Sequence, residues 1–195
     1  MLFRSSSEGY WPYVDAFEGW NPQGPAAAEI VYSGKNASVR ASGNAYQPTD
    51  DAVGVSGQPY AFLNKTPDQA YFVIENITVT GGSNYIFTYN AQCQNGYSGG
   101  PTFATVDGSL IHLELGYDGV NWDAVDCTYT PNGGNSWYAV QTEFKVAADA
   151  TKLYARFTYE APASNGGARF DDFKLVEGGN GSELDFGAAS TQVIP

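Results

Sequence analysis

The chain has 195 residues, of which 43% are hydrophobic, 15% aromatic and only 15% charged. Its 21 acidic and 9 basic residues give a formal net charge of -12 at pH 7. A negative field of this size repels phosphate backbones and anionic headgroups, which excludes nucleic acid as a partner. No apolar run reaches the about 18 residues of a membrane-spanning helix, so we expect no direct membrane insertion. Neutral glycans are not repelled, and surplus carboxylates suit calcium.

Strand signals recur along the whole chain, as runs of β-branched and aromatic residues between clusters of Gly, Asn, Asp and Pro. They predict about nine to eleven strands and no amphipathic helix. The predicted strands cover residues 29–32, 37–41, 60–63, 71–79, 84–94, 109–117, 123–129, 138–146, 153–159 and 168–176. Many short strands joined by tight turns indicate an all-β, antiparallel β-sandwich, and this length suits one domain over residues 1–177.

Alternation of side chains is clearest in residues 153–159, where one face is expected to pack on the core and the other to be wetter. The expected core face consists of Leu153, Ala155, Phe157 and Tyr159, and the expected outer face of Tyr154, Arg156 and Thr158. In the last strand the same alternation places Asp171 on the face of Phe173 and Leu175, toward the core.

The sequence changes character after residue 177, where EGGNGS forms a polar, glycine-rich run. Such a composition predicts a flexible linker or C-terminal tail over residues 178–195. For residues 183–195 three alternatives stay open: a tail, an extra edge strand, or the lead-in to a further domain.

Several short motifs follow one another in a specific order. They are AFEGW at residues 16–20, YSGKNASV at 32–39, GGSNYIF at 81–87 and ARFDDFKL at 168–175. Together they resemble landmarks of galactose-binding-like carbohydrate-binding modules, particularly those that bind xylan and glucan. The resemblance covers residues 16–176, and it implies a jelly-roll sandwich that binds glycan and does not catalyse.

A further resemblance indicates the cellular location of the domain. Residues 117–122 have the sequence YDGVNW, which is similar to a hairpin in sandwich domains of large surface or secreted proteins of gut-type Bacteroidetes. This implies an extracellular, cell-surface or periplasmic location, with other domains of a longer chain as further partners. Residues 1–4 alone are too short for a signal peptide.

The resemblance also implies a structural calcium ion at one end of the sandwich, where the first and last strands lie close together. Its ligands would be the carboxylate of Glu18, a backbone carbonyl at Gly34 or Lys35, and a carboxylate of Asp171 or Asp172. Carboxylate and carbonyl oxygens are the ligands that calcium prefers. The alternative is that Asp171 bonds backbone N–H groups or an arginine such as Arg40, with no metal.

Sugar binding requires aromatic rings at the surface, because pyranose faces carry apolar C–H patches, together with amides or carboxylates for the hydroxyls. Trp20 and Trp137 match structural positions of the resembled family and are expected in the core. Trp11 and Trp122 are open to a binding or a packing role. The candidate ligand-binding residues are Trp122, Tyr117, Asn121, Tyr97, Asn95 and Trp11.

The sequence gives little indication of a catalytic or redox function. His112 and Glu114 share a strand face and suit either an acid/base pair or a simple hydrogen bond. The chain has no nucleophile elbow or phosphate loop, so we expect no enzyme. Cys93 and Cys127 fit neither zinc nor CxxC spacing, and a disulfide and two buried thiols both stay open.

These observations favour a non-catalytic domain, similar to a carbohydrate-binding module, that holds a neutral glycan by aromatic stacking. The alternative is a structural or adhesive spacer domain of a larger surface protein, with a protein partner or no ligand. Both predict the same fold, and they differ in whether exposed rings lie beside convergent polar groups.

Overall fold

The computed structural model describes residues 13–15, 31–35, 37–40, 60–64, 70–96, 102–134, 136–160 and 167–184. In these ranges the chain forms thirteen β-strands. They are β1 (Tyr13–Asp15), β2 (Val31–Lys35), β3 (Ala37–Arg40), β4 (Tyr60–Asn64), β5 (Ala70–Thr78), β6 (Asn84–Gly96), β7 (Thr102–Phe103), β8 (Ile111–Gly116), β9 (Asp123–Val125), β10 (Thr128–Pro131), β11 (Tyr138–Lys145), β12 (Lys152–Tyr159) and β13 (Gly167–Glu177). Within the same ranges, no helix has the length and apolar character that a membrane crossing requires.

The strands form two sheets that pack face to face. The larger sheet has eight strands in the order β10-β11-β6-β13-β4-β3, with β1 added on β13 and β7 on β6, and the smaller has the order β2-β5-β12-β8-β9. The ladders between the described strands are antiparallel. Aromatic rings fill the space between the sheets, and Phe157 lies 4.7 Å from Phe72 and 4.8 Å from Phe173 between ring centroids. The predicted all-β antiparallel sandwich is therefore confirmed, and Trp137 is buried as expected.

Short or irregular strands account for the differences from the predicted elements. The predicted strand at 123–129 consists of two strands in different sheets, β9 and β10, because the chain crosses from one sheet to the other at Asp126 and Cys127. Strands β1 and β7 have only three and two residues, too few for an alternating pattern to show. Strand β2 spans Val31–Lys35 and so continues beyond the predicted end at residue 32, while residues 29 and 30 lie outside the described residues.

Strand β12 follows its predicted alternation. Leu153, Ala155, Phe157 and Tyr159 are at most 2% exposed and belong to the core between the sheets. The three residues between them project to the outer face of the smaller sheet, since they pair with outward-facing positions of β5 and β8.

A β-bulge in β13 reverses the predicted orientation of Asp171. Asp172 has a positive φ of 54°, and the register with β6 shifts between Asp171 and Lys174. Asp171 therefore pairs with Asn90, which faces away from the core, while Phe173 faces inward. The predicted core-side orientation of Asp171 is wrong, because simple alternation fails where a bulge inserts an extra residue into the pleat.

Residues 178–184, which we call the C-terminal strap, lie against the sandwich. The Gly178 amide donates to the Asn84 carbonyl at 2.7 Å, and the Lys145 amide donates to the Ser182 carbonyl at 2.9 Å. The Leu184 amide donates to the Lys145 carbonyl at 2.9 Å, and its side chain packs against the core. This stretch therefore differs from the unpacked linker expected from its composition, while a domain boundary at residue 177 stays a prediction.

Candidate ligand-binding site

The outer face of the smaller sheet carries a row of polar and aromatic side chains at an accessible surface. The ladder between β8 and β12 pairs Glu114 with Arg156 and His112 with Thr158, so these four side chains project together. Most of them are half-buried. We call this surface the Arg156 face, and it consists of His112, Glu114, Trp122, Tyr154, Arg156 and Thr158.

Arg156 lies at the centre of this face and contacts two of its neighbours. Its Nε atom is 2.5 Å from Oε2 of Glu114, a charge-assisted contact between adjacent strands. Its Cζ atom lies 4.5 Å from the centroid of the Trp122 ring, within the range of a cation–π interaction. One guanidinium group therefore holds both an aromatic ring and a carboxylate in place.

Trp122 is only partly exposed and does not stand out from the surface as an isolated platform. Its ring packs beside Arg156 and close to the backbone at Gly116, where an added Cβ atom would be 3.4 Å from Cε3 of Trp122. In the preceding turn, Gly119 lies against Tyr154, since a Cβ atom there would be 3.2 Å from its ring. The turn thus folds back onto the sheet.

Tyr117 and Asn121, the predicted companions of Trp122, have structural contacts. The Tyr117 hydroxyl accepts a hydrogen bond from the Ala147 amide at 2.8 Å, and its ring packs against the core. Burial raises the pKa of Tyr117 above its ordinary value. The Asn121 side chain donates to Oδ2 of Asp118 at 2.7 Å and so closes the turn. Neither contact adds a side chain to the Arg156 face.

The remaining predicted ligand-binding residues are not brought to this face by the described structure. Asn95 is exposed near the end of β6, which belongs to the larger sheet. Tyr97 and Trp11 lie outside the described residues, as does Trp20. Arg156 was overlooked as a site residue, although its position on the polar face of β12 could have identified it.

His112 and Glu114 share one face, as predicted, but each pairs with a different residue. Glu114 binds Arg156, and Nε2 of His112 lies 3.6 Å from Oε1 of Glu160. The pair therefore lacks the mutual contact of an acid and its base. These two contacts place two carboxylates and one guanidinium on or beside the face.

A second polar row, on the outer face of the larger sheet, is buried. Arg169 donates to Oε1 of Gln92 at 3.3 Å and to Oε1 of Gln94 at 3.5 Å, and its Cζ atom lies 5.5 Å from the Tyr60 ring centroid. Sequence reasoning missed this row because nothing in the alternation marks an outward residue as buried. Arg169, Gln92 and Tyr60 are nearly inaccessible, so this row serves packing better than binding.

The predicted calcium ligands are only partly brought together. Gly34 and Lys35 lie on β2 in the smaller sheet, whereas Asp171 and Asp172 lie on β13 in the larger sheet. Asp171 is wholly buried, and its Oδ1 atom accepts from the Asp172 amide at 2.9 Å. In the part of the chain that the structure describes, no group of three or more His, Cys, Asp or Glu side chains could hold a metal. Because Glu18 lies outside that part, calcium stays a prediction.

The two cysteines are free thiols, which settles the alternatives left open by their spacing. Cys93 is buried in the core, and Cys127 is partly buried against it. Burial raises the pKa of each thiol to about 12. Thiols of this kind are weak nucleophiles, so neither residue suits redox or covalent chemistry.

No protein-family model and no curated protein matches this chain by sequence. Among solved structures, a xylan-binding domain of carbohydrate-binding module family 22 matches with a TM-score of 0.51 at 17% identity, over 86% of this chain and 95% of that one. A family 22 module of Clostridium thermocellum Xyn10B matches with a TM-score of 0.49 at 18% identity, over 86% and 92%. A family 61 module in complex with β-1,4-galactotriose matches with a TM-score of 0.47 at 13% identity, over 77% and 90%. The match to the xylan-binding domain shows that the chain has the jelly-roll sandwich fold found in that carbohydrate-binding module.

Proposed function

We propose that this chain is a non-catalytic carbohydrate-binding domain that holds a neutral glycan on the Arg156 face. The observation that carries the proposal is the position of Trp122 beside the Arg156–Glu114 pair, on an accessible sheet face. An indole ring offers apolar area to the C–H face of a sugar, and a guanidinium and a carboxylate hydrogen-bond its hydroxyls. These are the groups that a glycan site needs.

Charge supports a neutral ligand. Glu114 and Glu160 lie on or beside the face together with one guanidinium, that of Arg156. The whole chain carries a formal charge of -12, so an anionic sugar would meet repulsion at long range. A neutral polysaccharide avoids this cost, and its hydroxyls can accept from Arg156 and donate to the carboxylates.

The contacts of the polar residues favour binding over hydrolysis. Glu114 is held by Arg156 at 2.5 Å and His112 lies 3.6 Å from Glu160, so the carboxylate and the imidazole are engaged separately. A hydrolase needs an acid and a base in reach of one glycosidic bond. We propose the domain as one module of a longer protein in an extracellular, cell-surface or periplasmic setting.

One observation favours a second candidate, a structural or adhesive spacer domain. The Arg156 guanidinium lies over the Trp122 ring at 4.5 Å and so occupies part of the surface that a sugar would use. If this stack exists only for packing, Trp122 adds to stability and binds nothing. The two candidates therefore differ in the effect of Trp122 on glycan retention.

The test is affinity electrophoresis in gels that contain xylan or other neutral polysaccharides, followed by calorimetric titration with xylohexaose and β-1,4-galactotriose. Xylan and galactotriose are first choices because they are named for two structural relatives. We expect retardation of the wild type and at least tenfold weaker binding by Trp122→Ala. The control is Val120→Ala, because Val120 lies in the same turn and is 77% exposed. Equal retention by Trp122→Ala, or no retention by any glycan, would favour the spacer, and release of sugar would indicate an enzyme.

A further inference from the structure

Thr158 lies on the Arg156 face with its hydroxyl buried. The residue is 1% exposed, and its ladder neighbours are His112 on β8 and Tyr71 on β5. Among the described residues, the Oγ1 atom of Thr158 has no hydrogen-bond partner. Buried polar atoms are almost always hydrogen-bonded, and an unmet hydroxyl lowers the stability of the fold.

Another buried threonine shows that this fold can satisfy such a hydroxyl. Thr142 on β11 is 6% exposed, and its Oγ1 atom donates to the Asp126 carbonyl at 2.7 Å. Both threonines are buried on strands, although Thr142 pairs with Phe87 and so faces the core, whereas Thr158 projects to the outer face of its sheet. The chain supplies a partner to Thr142 and, in the described ranges, none to Thr158.

Packing and strand propensity do not require a hydroxyl at this position. Val73, which pairs with Arg156 on the same face, is a buried valine. Valine has nearly the shape of threonine and a high strand propensity, so it would fill position 158 without the cost of an unmet hydrogen bond. The hydroxyl of Thr158 therefore calls for an explanation other than the fold.

We propose that the Thr158 hydroxyl is a recognition position, which hydrogen-bonds a hydroxyl group of the neutral glycan bound on the Arg156 face. This inference rests on the proposed function. A threonine hydroxyl both donates and accepts, which matches the double character of a sugar hydroxyl. Arg156 and Thr158 are two residues apart on β12, roughly 7 Å along the strand, so one ligand reaches both.

Access to the hydroxyl involves its two neighbours. His112 and Tyr71 flank Thr158 and are both partly exposed, and Nε2 of His112 lies 3.6 Å from Oε1 of Glu160. The ligand hydroxyl reaches Oγ1 when one of these side chains moves aside.

The experiment compares Thr158→Val with the wild type in two measurements. Titration with xylohexaose and with β-1,4-galactotriose gives the affinity, and thermal unfolding gives the Tm. Removal of the hydroxyl is expected to weaken binding about five- to tenfold. The Tm is expected to stay equal or to rise, because the variant no longer contains a buried hydroxyl without a hydrogen-bond partner. Thr158→Ser keeps the hydroxyl and is expected to retain most of the affinity.

The matched control is Thr142→Val, which removes a bonded hydroxyl away from the face. It is expected to lower the Tm and to leave the affinity unchanged. The inference is overturned if Thr158→Val binds like the wild type, or if its Tm falls as in Thr142→Val, which would reveal a structural partner. If the wild type binds neither these probes nor any polysaccharide in the gel assay, the proposed function itself fails, and this outcome is distinct from the other two.

Discussion

The guanidinium carbon of Arg156 lies 4.5 Å from the ring centroid of Trp122, while Nε of the same residue is 2.5 Å from Oε2 of Glu114. The three residues belong to strand β12, the turn before β9, and strand β8. One side chain on the central strand of the sheet thus orients an aromatic ring and a carboxylate from two other segments. The orientation of the proposed binding surface depends on this residue.

Arg156→Lys is predicted to disturb the face although it keeps the positive charge. Lysine lacks the planar fork that contacts a ring and a carboxylate at once, so Trp122 and Glu114 lose their common support. We expect a change in tryptophan emission and about tenfold weaker glycan binding. Lys152→Ala is the control, because Lys152 lies on the same strand, is exposed and is 3.4 Å from Asn76. Unchanged emission and affinity in Arg156→Lys would contradict the role of Arg156.

Calcium is predicted to stabilise the domain through Asp171, together with Glu18. At a hundredfold excess over Kd, one bound ion adds about 2.7 kcal/mol to the free energy of unfolding, a Tm increase of roughly 5 to 10 °C. The measurement is thermal unfolding with calcium and with a chelator. Asp171→Asn is expected to abolish the difference, and Asp123→Asn, an exposed residue of β9, to preserve it. If the chelator leaves the wild-type Tm unchanged, the calcium prediction is wrong.

Both thiols are predicted to resist alkylation in the native protein. Burial raises the pKa of Cys93 and of Cys127 to about 12, so at pH 8 only about one thiol in ten thousand is a reactive thiolate. We expect no iodoacetamide adduct by mass spectrometry over an hour at pH 8, and two adducts in urea. Because the unfolded thiols titrate near 8.5, stability should fall as the pH rises from about 8.5 toward 12. Rapid alkylation of the folded chain would contradict this account.

Gly181→Ala is predicted to displace the C-terminal strap. A Cβ atom at Gly181 would lie 2.2 Å from the Phe144 amide nitrogen and 2.3 Å from the Glu143 carbonyl carbon, both backbone atoms that cannot move aside cheaply. The expected cost is about 1 to 3 kcal/mol in urea unfolding, with faster proteolysis of residues 178–184. Gly108→Ala is the control, since its Cβ atom would meet only the Tyr129 hydroxyl at 3.7 Å. Equal stability of the two variants would show that the strap does not need this glycine.

The candidate site was predictable in part. Trp122 could be singled out because a large ring after a turn is a plausible surface residue, and the outward positions of Arg156 and Thr158 follow from the alternation of β12. Their partners could not be predicted in the same way. Glu114 and Arg156 are 42 positions apart in the chain, and only the ladder between β8 and β12 makes them neighbours.

Local pattern was sufficient for the fold class and for the two faces of β12, because a period of two in the sequence is also the period of the strand. It was insufficient wherever distant segments meet. The bulge at Asp172 turns Asp171 outward, the Ala147 amide binds the Tyr117 hydroxyl, and the strap lies along β11 despite its flexible composition. Each of these outcomes depends on which hydrogen-bonding and packing partners a residue finds after the sheets assemble, and that information is not contained in any short window of sequence.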